Sequence, residues 1–146
     1  MIEKTIENWH RFLDGNLPGG LDDLLADDVV FYSPVVFTPQ KGKDVTKLYL
    51  TAAGMTFGGV AAQQRGNQPP STFRYTKEVL AGHHAVLEFE VEVAGKYING
   101  VDIITCDNES RIREFRVMVR PLQAVNLLHE RMREMLGKLE GVPPLT

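Results

Sequence analysis

Strict two-residue alternation over Leu87–Val93 constrains this chain more than any other feature. Leu87, Phe89, Val91 and Val93 are apolar, and Glu88, Glu90 and Glu92 between them are acidic. On a helix these carboxylates would spread around the circumference. On a strand they share one face and leave the other apolar. Ala94-Gly95-Lys96 turns the chain, and Tyr97–Cys106 follows as a mostly apolar run. Asp107-Asn108-Glu109-Ser110 makes a second turn before Ile112–Val119 alternates again. Three strands joined by short turns form an antiparallel meander. Asp102 interrupts the middle strand, in Gly100-Val101-Asp102-Ile103-Ile104. A buried carboxylate without a partner costs several kcal/mol, so this residue is the sharpest lead to function.

Upstream, Glu3–Asp14 sets Ile6, Trp9, His10 and Leu13 at helical spacing. Gly15–Gly20 ends that helix, and Leu21–Leu25 forms a short second one with Asp22 and Asp23 in its first turn. Val29–Tyr32 is a short strand stopped by Ser33-Pro34. Lys43–Thr56, with Val45, Leu48, Tyr49, Ala52 and Met55, is a third helix. Gly58–Pro70 is interrupted by Gly and Pro and reads as a long loop. Thr72–Leu80 is a further strand, Leu122–Leu136 a last helix, and Gly141–Thr146 a frayed tail. The 146 residues suit a single domain of α+β class. Its antiparallel or mixed sheet is strongly curved and wrapped around the N-terminal helices. The strands are apolar on both faces, so a homodimer through the outer, convex face is expected.

The formal charge of −3 gives no reason to expect nucleic acid as a partner. Cys106 is the only cysteine, which excludes an internal disulfide and a cysteine metal cluster. No apolar run reaches the roughly 20 residues of a membrane span. The first residues lack the basic-then-apolar order of a signal peptide, and a cytoplasmic location is expected.

Leu24-Leu25-Ala26-Asp27-Asp28-Val29-Val30-Phe31-Tyr32-Ser33-Pro34, Gly42-Lys43-Asp44, and Val101–Asp107 followed by Arg111-Ile112 carry a resemblance. In order and spacing they resemble the nuclear-transport-factor-2-like superfamily, in its SnoaL-like and ketosteroid-isomerase-like branch, over nearly the whole chain. The resemblance implies a cone-shaped domain whose wide end opens into an apolar pocket. It implies a protein of the polyketide-cyclase-like or isomerase-like kind, or one that only binds. Asp102 matches the protonated aspartic acid that steroid isomerases carry on the central strand. Trp9 stands where they have a helix tyrosine, and Ser33 where they have an aspartate base. Gly100 stands where epoxide hydrolases of the same superfamily have an arginine. Steroid isomerisation by the family's own mechanism is therefore not expected.

Two catalytic candidates follow. Asp102 in an apolar cone has a raised pKa and can act as acid or base, unless it is tied structurally to a histidine, tyrosine or arginine. His10 can supply the missing base, unless it is an edge residue of its helix. Trp9, Ser33 and Tyr49 lie within reach. Strand parity turns Phe89, Ile104, Phe115 and Val119 inward with Asp102, and Met55 and Phe57 close the mouth. His83 and His84 lack a third ligand, so no metal site is expected. The expectation is acid–base isomerase, cyclase or dehydratase chemistry on a small, hydrophobic, oxygenated molecule, with no cofactor. The alternative is a non-catalytic small-molecule-binding or accessory protein.

Overall fold

The computed structural model of the chain describes residues 1–58 and 71–138. Most of the expected loop and all of the expected tail lie outside these residues. Helix α1 (Ile2–Leu13) and short helix α2 (Gly20–Leu24) lead directly into β1 (Leu25–Tyr32). A two-residue β2 (Gln40–Lys41), helix α3 (Lys43–Phe57), strands β3 (Arg74–Ala81), β4 (His84–Val93), β5 (Lys96–Cys106) and β6 (Ile112–Arg120), and helix α4 (Leu122–Gly137) complete it.

The six strands form one open sheet in the order β2-β1-β6-β5-β4-β3. It is mixed, because β1 runs parallel to β6 while every other pair is antiparallel. Strand β1 starts at Leu25, four residues before the expected start, and its register against β6 shifts between Leu25 and Val30. That irregularity holds the exposed Asp27 and Asp28 and hides the alternation that would otherwise have marked the strand. The β4–β5 hairpin closes through Ala94 and Gly95, with φ of 52° and 76°. A two-residue loop with both φ positive matches the right-handed twist of the flanking strands.

The sheet curves around the helices, and its concave face carries the core. Leu87, Phe89 and Val91 of β4, Ile98, Ile104 and Cys106 of β5, and Ile112 and Phe115 of β6 are buried there. Against them lie Ile2, Ile6 and Trp9 of α1, Tyr49, Leu50 and Ala52 of α3, and Leu128, Met132 and Leu136 of α4. Each large apolar side chain so buried contributes about 1.5–3 kcal/mol. The Thr5 hydroxyl, fully buried, donates to the Ser110 carbonyl at 2.9 Å and fixes α1 to the turn before β6. That tie sets the height at which Trp9, one turn later, meets the sheet. No helix among the described residues is long and apolar enough to cross a membrane.

Candidate functional site: a carboxyl at the floor of an aromatic cavity

Burial along β5 alternates without a break from Ile98 to Cys106, and Asp102 falls on the buried side. It is 6% exposed, level with Leu87 on β4 and Val117 on β6. Above it the curved sheet and the helices enclose a cavity of about 70 Å³. Trp9, Phe12 and Leu13 of α1, Phe31 and Pro34, Leu50 and Phe57 of α3, Phe73 and Tyr75, Phe89, Phe115 and the α4 residues Leu128 and Met132 line it. The lining is almost wholly apolar, and the polar groups are gathered at Asp102. A volume of this order holds a few waters or part of a small ligand.

The Tyr75 hydroxyl donates to Asp102 Oδ2 at 2.6 Å, and Trp9 Nε1 donates to the same hydroxyl at 2.9 Å. Among the described residues the Asp102 carboxyl has no second hydrogen-bond partner. Burial pushes its pKa from the ordinary 3.8 up to about 7, and the hydrogen bond from Tyr75 pulls in the opposite direction. Tyr75 itself is held well above the ordinary tyrosine value of 10. Burial is the largest cause, followed by the charge and hydrogen bond of Asp102, with the Trp9 bond opposing. The tyrosine therefore stays protonated wherever the carboxyl titrates. A carboxyl that changes charge near neutrality inside an apolar cavity can give or take a proton from a bound carbonyl or hydroxyl.

Of the residues expected at this site, the structure gathers Asp102, Trp9, Phe57, Phe89 and Phe115 around one cavity. The others lie elsewhere. His10, next to Trp9 on α1, sits 100° further round the helix and clear of the cavity. Its Nε2 is 2.6 Å from Glu78 Oε2, in an outer groove shared with Asp14 and Arg74. Ser33 and Val119 line a separate open groove beside Arg116 and Met118, and Ser33 Oγ accepts from the Val35 N–H at 3.1 Å. Tyr49 packs on Phe31 at 5.4 Å within the core. Ile104 is fully buried core, and Met55 is 45% exposed on α3. His83 and His84 bond to Asn108 and Thr105. Among the described residues no three metal-ligating side chains come together.

Tyr75 was not foreseen. The signal was faint: Phe73 and Tyr75 stand two apart at the head of the expected Thr72–Leu80 strand. Both turn inward, Tyr75 opposite Phe89, before the β3 register shifts between Tyr75 and Lys77. After that shift β3 is exposed throughout, so no alternation points back to the tyrosine.

A curved mixed sheet closed by helices over one buried acid defines the class: a conical α+β pocket domain. The chain has the fold of nuclear-transport-factor-2-like proteins, which it shares with solved ketosteroid-isomerase-like and polyketide-cyclase-like structures. It is similar to a steroid delta-isomerase of Pseudomonas aeruginosa, with 29% identity, 94% of this chain and 92% of that one covered, and a TM-score of 0.80. A conserved bacterial protein of Silicibacter pomeroyi with a cystatin-like fold is 27% identical over 92% of this chain and 83% of its own, with a TM-score of 0.70. An NTF2-like protein of unknown function from Mesorhizobium loti shares the fold at 22% identity, covering 82% of this chain and 93% of its own, with a TM-score of 0.62. No protein-family model and no curated protein matches the chain.

Proposed function

We propose that this protein is a cofactor-independent acid–base enzyme acting on a small, largely apolar, oxygenated molecule, with Asp102 as the proton-transferring group. The observation that carries this reading is the Tyr75–Asp102 pair, closed by a 2.6 Å hydrogen bond in an otherwise apolar cavity. Burial raises the pKa of a purely structural carboxyl as well, so the reading rests on the cavity that Asp102 and Tyr75 line; a pKa near neutrality then suits the carboxyl to the task. An acid–base catalyst works best there, since both protonation states are then populated. Asp102 and Tyr75 are the titratable groups among the described lining residues. One carboxyl that takes a proton from the carbon beside a carbonyl and returns it two carbons along performs an isomerisation without a second base. The electron pair moves onto the carbonyl oxygen and back, and the net change is the position of one hydrogen. The likeness to a steroid delta-isomerase supports this class of reaction. Ser33, which by resemblance stands where steroid isomerases have their base, lines the separate groove and not this cavity.

The test is turnover of small cyclic β,γ-unsaturated ketones, followed by the absorbance of the conjugated product. The wild type is expected to turn over at least one, with a rate that rises through an inflection near pH 7. Asp102→Asn is expected to lose about 10²-fold or more in kcat. An Asn variant that binds and turns over like the wild type sinks the acid–base reading. A second reading is a small-molecule-binding protein, favoured by the apolar lining around a single acid. Ligands that raise the Tm without any turnover, equally in both proteins, establish it instead. A cytoplasmic site of action belongs to either reading.

A further inference from the structure

We propose that Trp9 is a positioning residue: its indole N–H, by occupying an acceptor site of the Tyr75 hydroxyl, commits the single Tyr75 proton to Asp102 Oδ2 and leaves Oδ1 as the oxygen that exchanges protons with a ligand. The inference rests on the acid–base reading for its effect on turnover, and on geometry alone for its effect on the carboxyl. An indole nitrogen donates and never accepts, so the Trp9–Tyr75 bond at 2.9 Å has one possible direction. Tyr75 has one proton, and the bond at 2.6 Å aims it at Asp102. The relay therefore has a fixed sense, from α1 through β3 to β5. A histidine, serine or tyrosine at position 9 could donate or accept, and the sense would be lost.

Donation by Trp9 also polarises the Tyr75 O–H and strengthens its bond to the carboxylate. The indole is locked for the task. It is 5% exposed, with its ring 5.6 Å from Phe12 and 5.0 Å from Phe115. Among the described residues the other ionisable groups near the relay are His10, whose ring centroid is 5.7 Å from that of Tyr75, Glu78, to which His10 is bonded, and Asp14 and Arg74, which share the outer groove with His10 and Tyr75. The β4 and β6 residues level with Asp102 are Leu87 and Val117, which carry no charge.

The experiment follows the Asp102 side-chain carboxyl and the Trp9 indole N–H by NMR across pH, in the protein without ligand. In the wild type the two signals are expected to titrate with one midpoint, which needs no variant and no substrate. Trp9→Phe, which keeps an aromatic ring and removes the donor, is expected to move the Asp102 midpoint up by about half a pH unit. Tyr75→Phe moves it further, and adding Trp9→Phe to Tyr75→Phe moves it no more. Independent shifts in the double variant overturn the relay. So does a Trp9 signal blind to the carboxyl, or a His10→Gln shift as large as that of Trp9→Phe. If the acid–base reading fails and the titrations behave as stated, the relay stands as a structural device. If turnover depends on Asp102 and the titrations do not couple, only the relay falls.

Discussion

Asp102 enters the interior because it shares the two-residue parity of Ile104 and Cys106, and neighbours in three strands hold that parity in place. The folded chain keeps the carboxyl's proton up to about pH 7, against the ordinary 3.8 expected when unfolded. Its contribution to stability is thus complete below about pH 4 and is lost as pH rises through 7, because the unfolded chain releases the proton first. About three units correspond to something on the order of 4 kcal/mol across that window. Asp102→Asn cannot ionise. The stability of the wild type minus that of the Asn variant, from urea unfolding at each pH, should therefore fall by that order between about pH 4 and pH 8. A difference that stays flat, or climbs with pH, means that the carboxyl is not buried as described.

At the scale of elements, the meander was the legible part. Alternation in Leu87–Val93 and Ile112–Val119 was enough to give those strands and their inner faces, whereas the middle strand is apolar on both faces and the inward placement of Asp102 came from the resemblance. Phe89 and Phe115 followed from strand parity and Trp9 from helical spacing, while Phe57 stood just past the expected end of the third helix at Thr56. Parity could not separate cavity from core, since Ile104 and Val119 obey the same rule and lie off the cavity. Contacts that depend on register were also out of reach, and Tyr75 is the important one. Gly100 shows how much register decides. A Cβ there would come within 2.5 Å of the Met118 carbonyl oxygen and 2.6 Å of the Phe89 ring. The absence of an arginine at this position is thereby explained: the Phe89 ring and the β6 backbone already fill the space. Gly100→Ala is expected to destabilise the fold by about 1–3 kcal/mol, since a backbone oxygen cannot give way cheaply. It should also displace Phe89 and weaken binding in the cavity. Denaturant midpoints and ligand-induced Tm shifts test the two effects, and an alanine variant of native stability refutes the packing.

For the whole molecule, the question is what covers the outer face of the sheet. Val86, Tyr97 and Met118 are 37%, 45% and 51% exposed there, around the half-buried Val101 and Ile103. Charged residues flank this apolar strip in rows. Glu88 and Glu90 of β4 lie on one side, and Arg116 and Arg120 of β6 on the other. Within one chain the rows are already linked. Asn99 of β5 donates to Glu88 at 3.1 Å and accepts from Arg120 at 3.4 Å. Glu90 accepts from Tyr97 at 2.6 Å and pairs with Arg74 at 2.9 Å. Arg116 lies 3.8 Å over the Tyr32 ring. We propose that a second copy of the chain covers the strip. A two-fold axis parallel to β5 and between the two sheets sets the acidic row of each protomer against the basic row of the other and closes the apolar middle between them. The charges then fix register, and the buried aliphatic surface supplies the affinity, because exposed ion pairs contribute only about 0–1 kcal/mol each. Light scattering coupled to size exclusion should give twice the chain mass at micromolar concentration. Ile103→Lys, which places a charge in the middle of the strip and leaves the concave face untouched, should give the monomer with the cavity still able to bind. A wild-type monomer at that concentration removes the proposal, and so does an Ile103→Lys protein that stays dimeric.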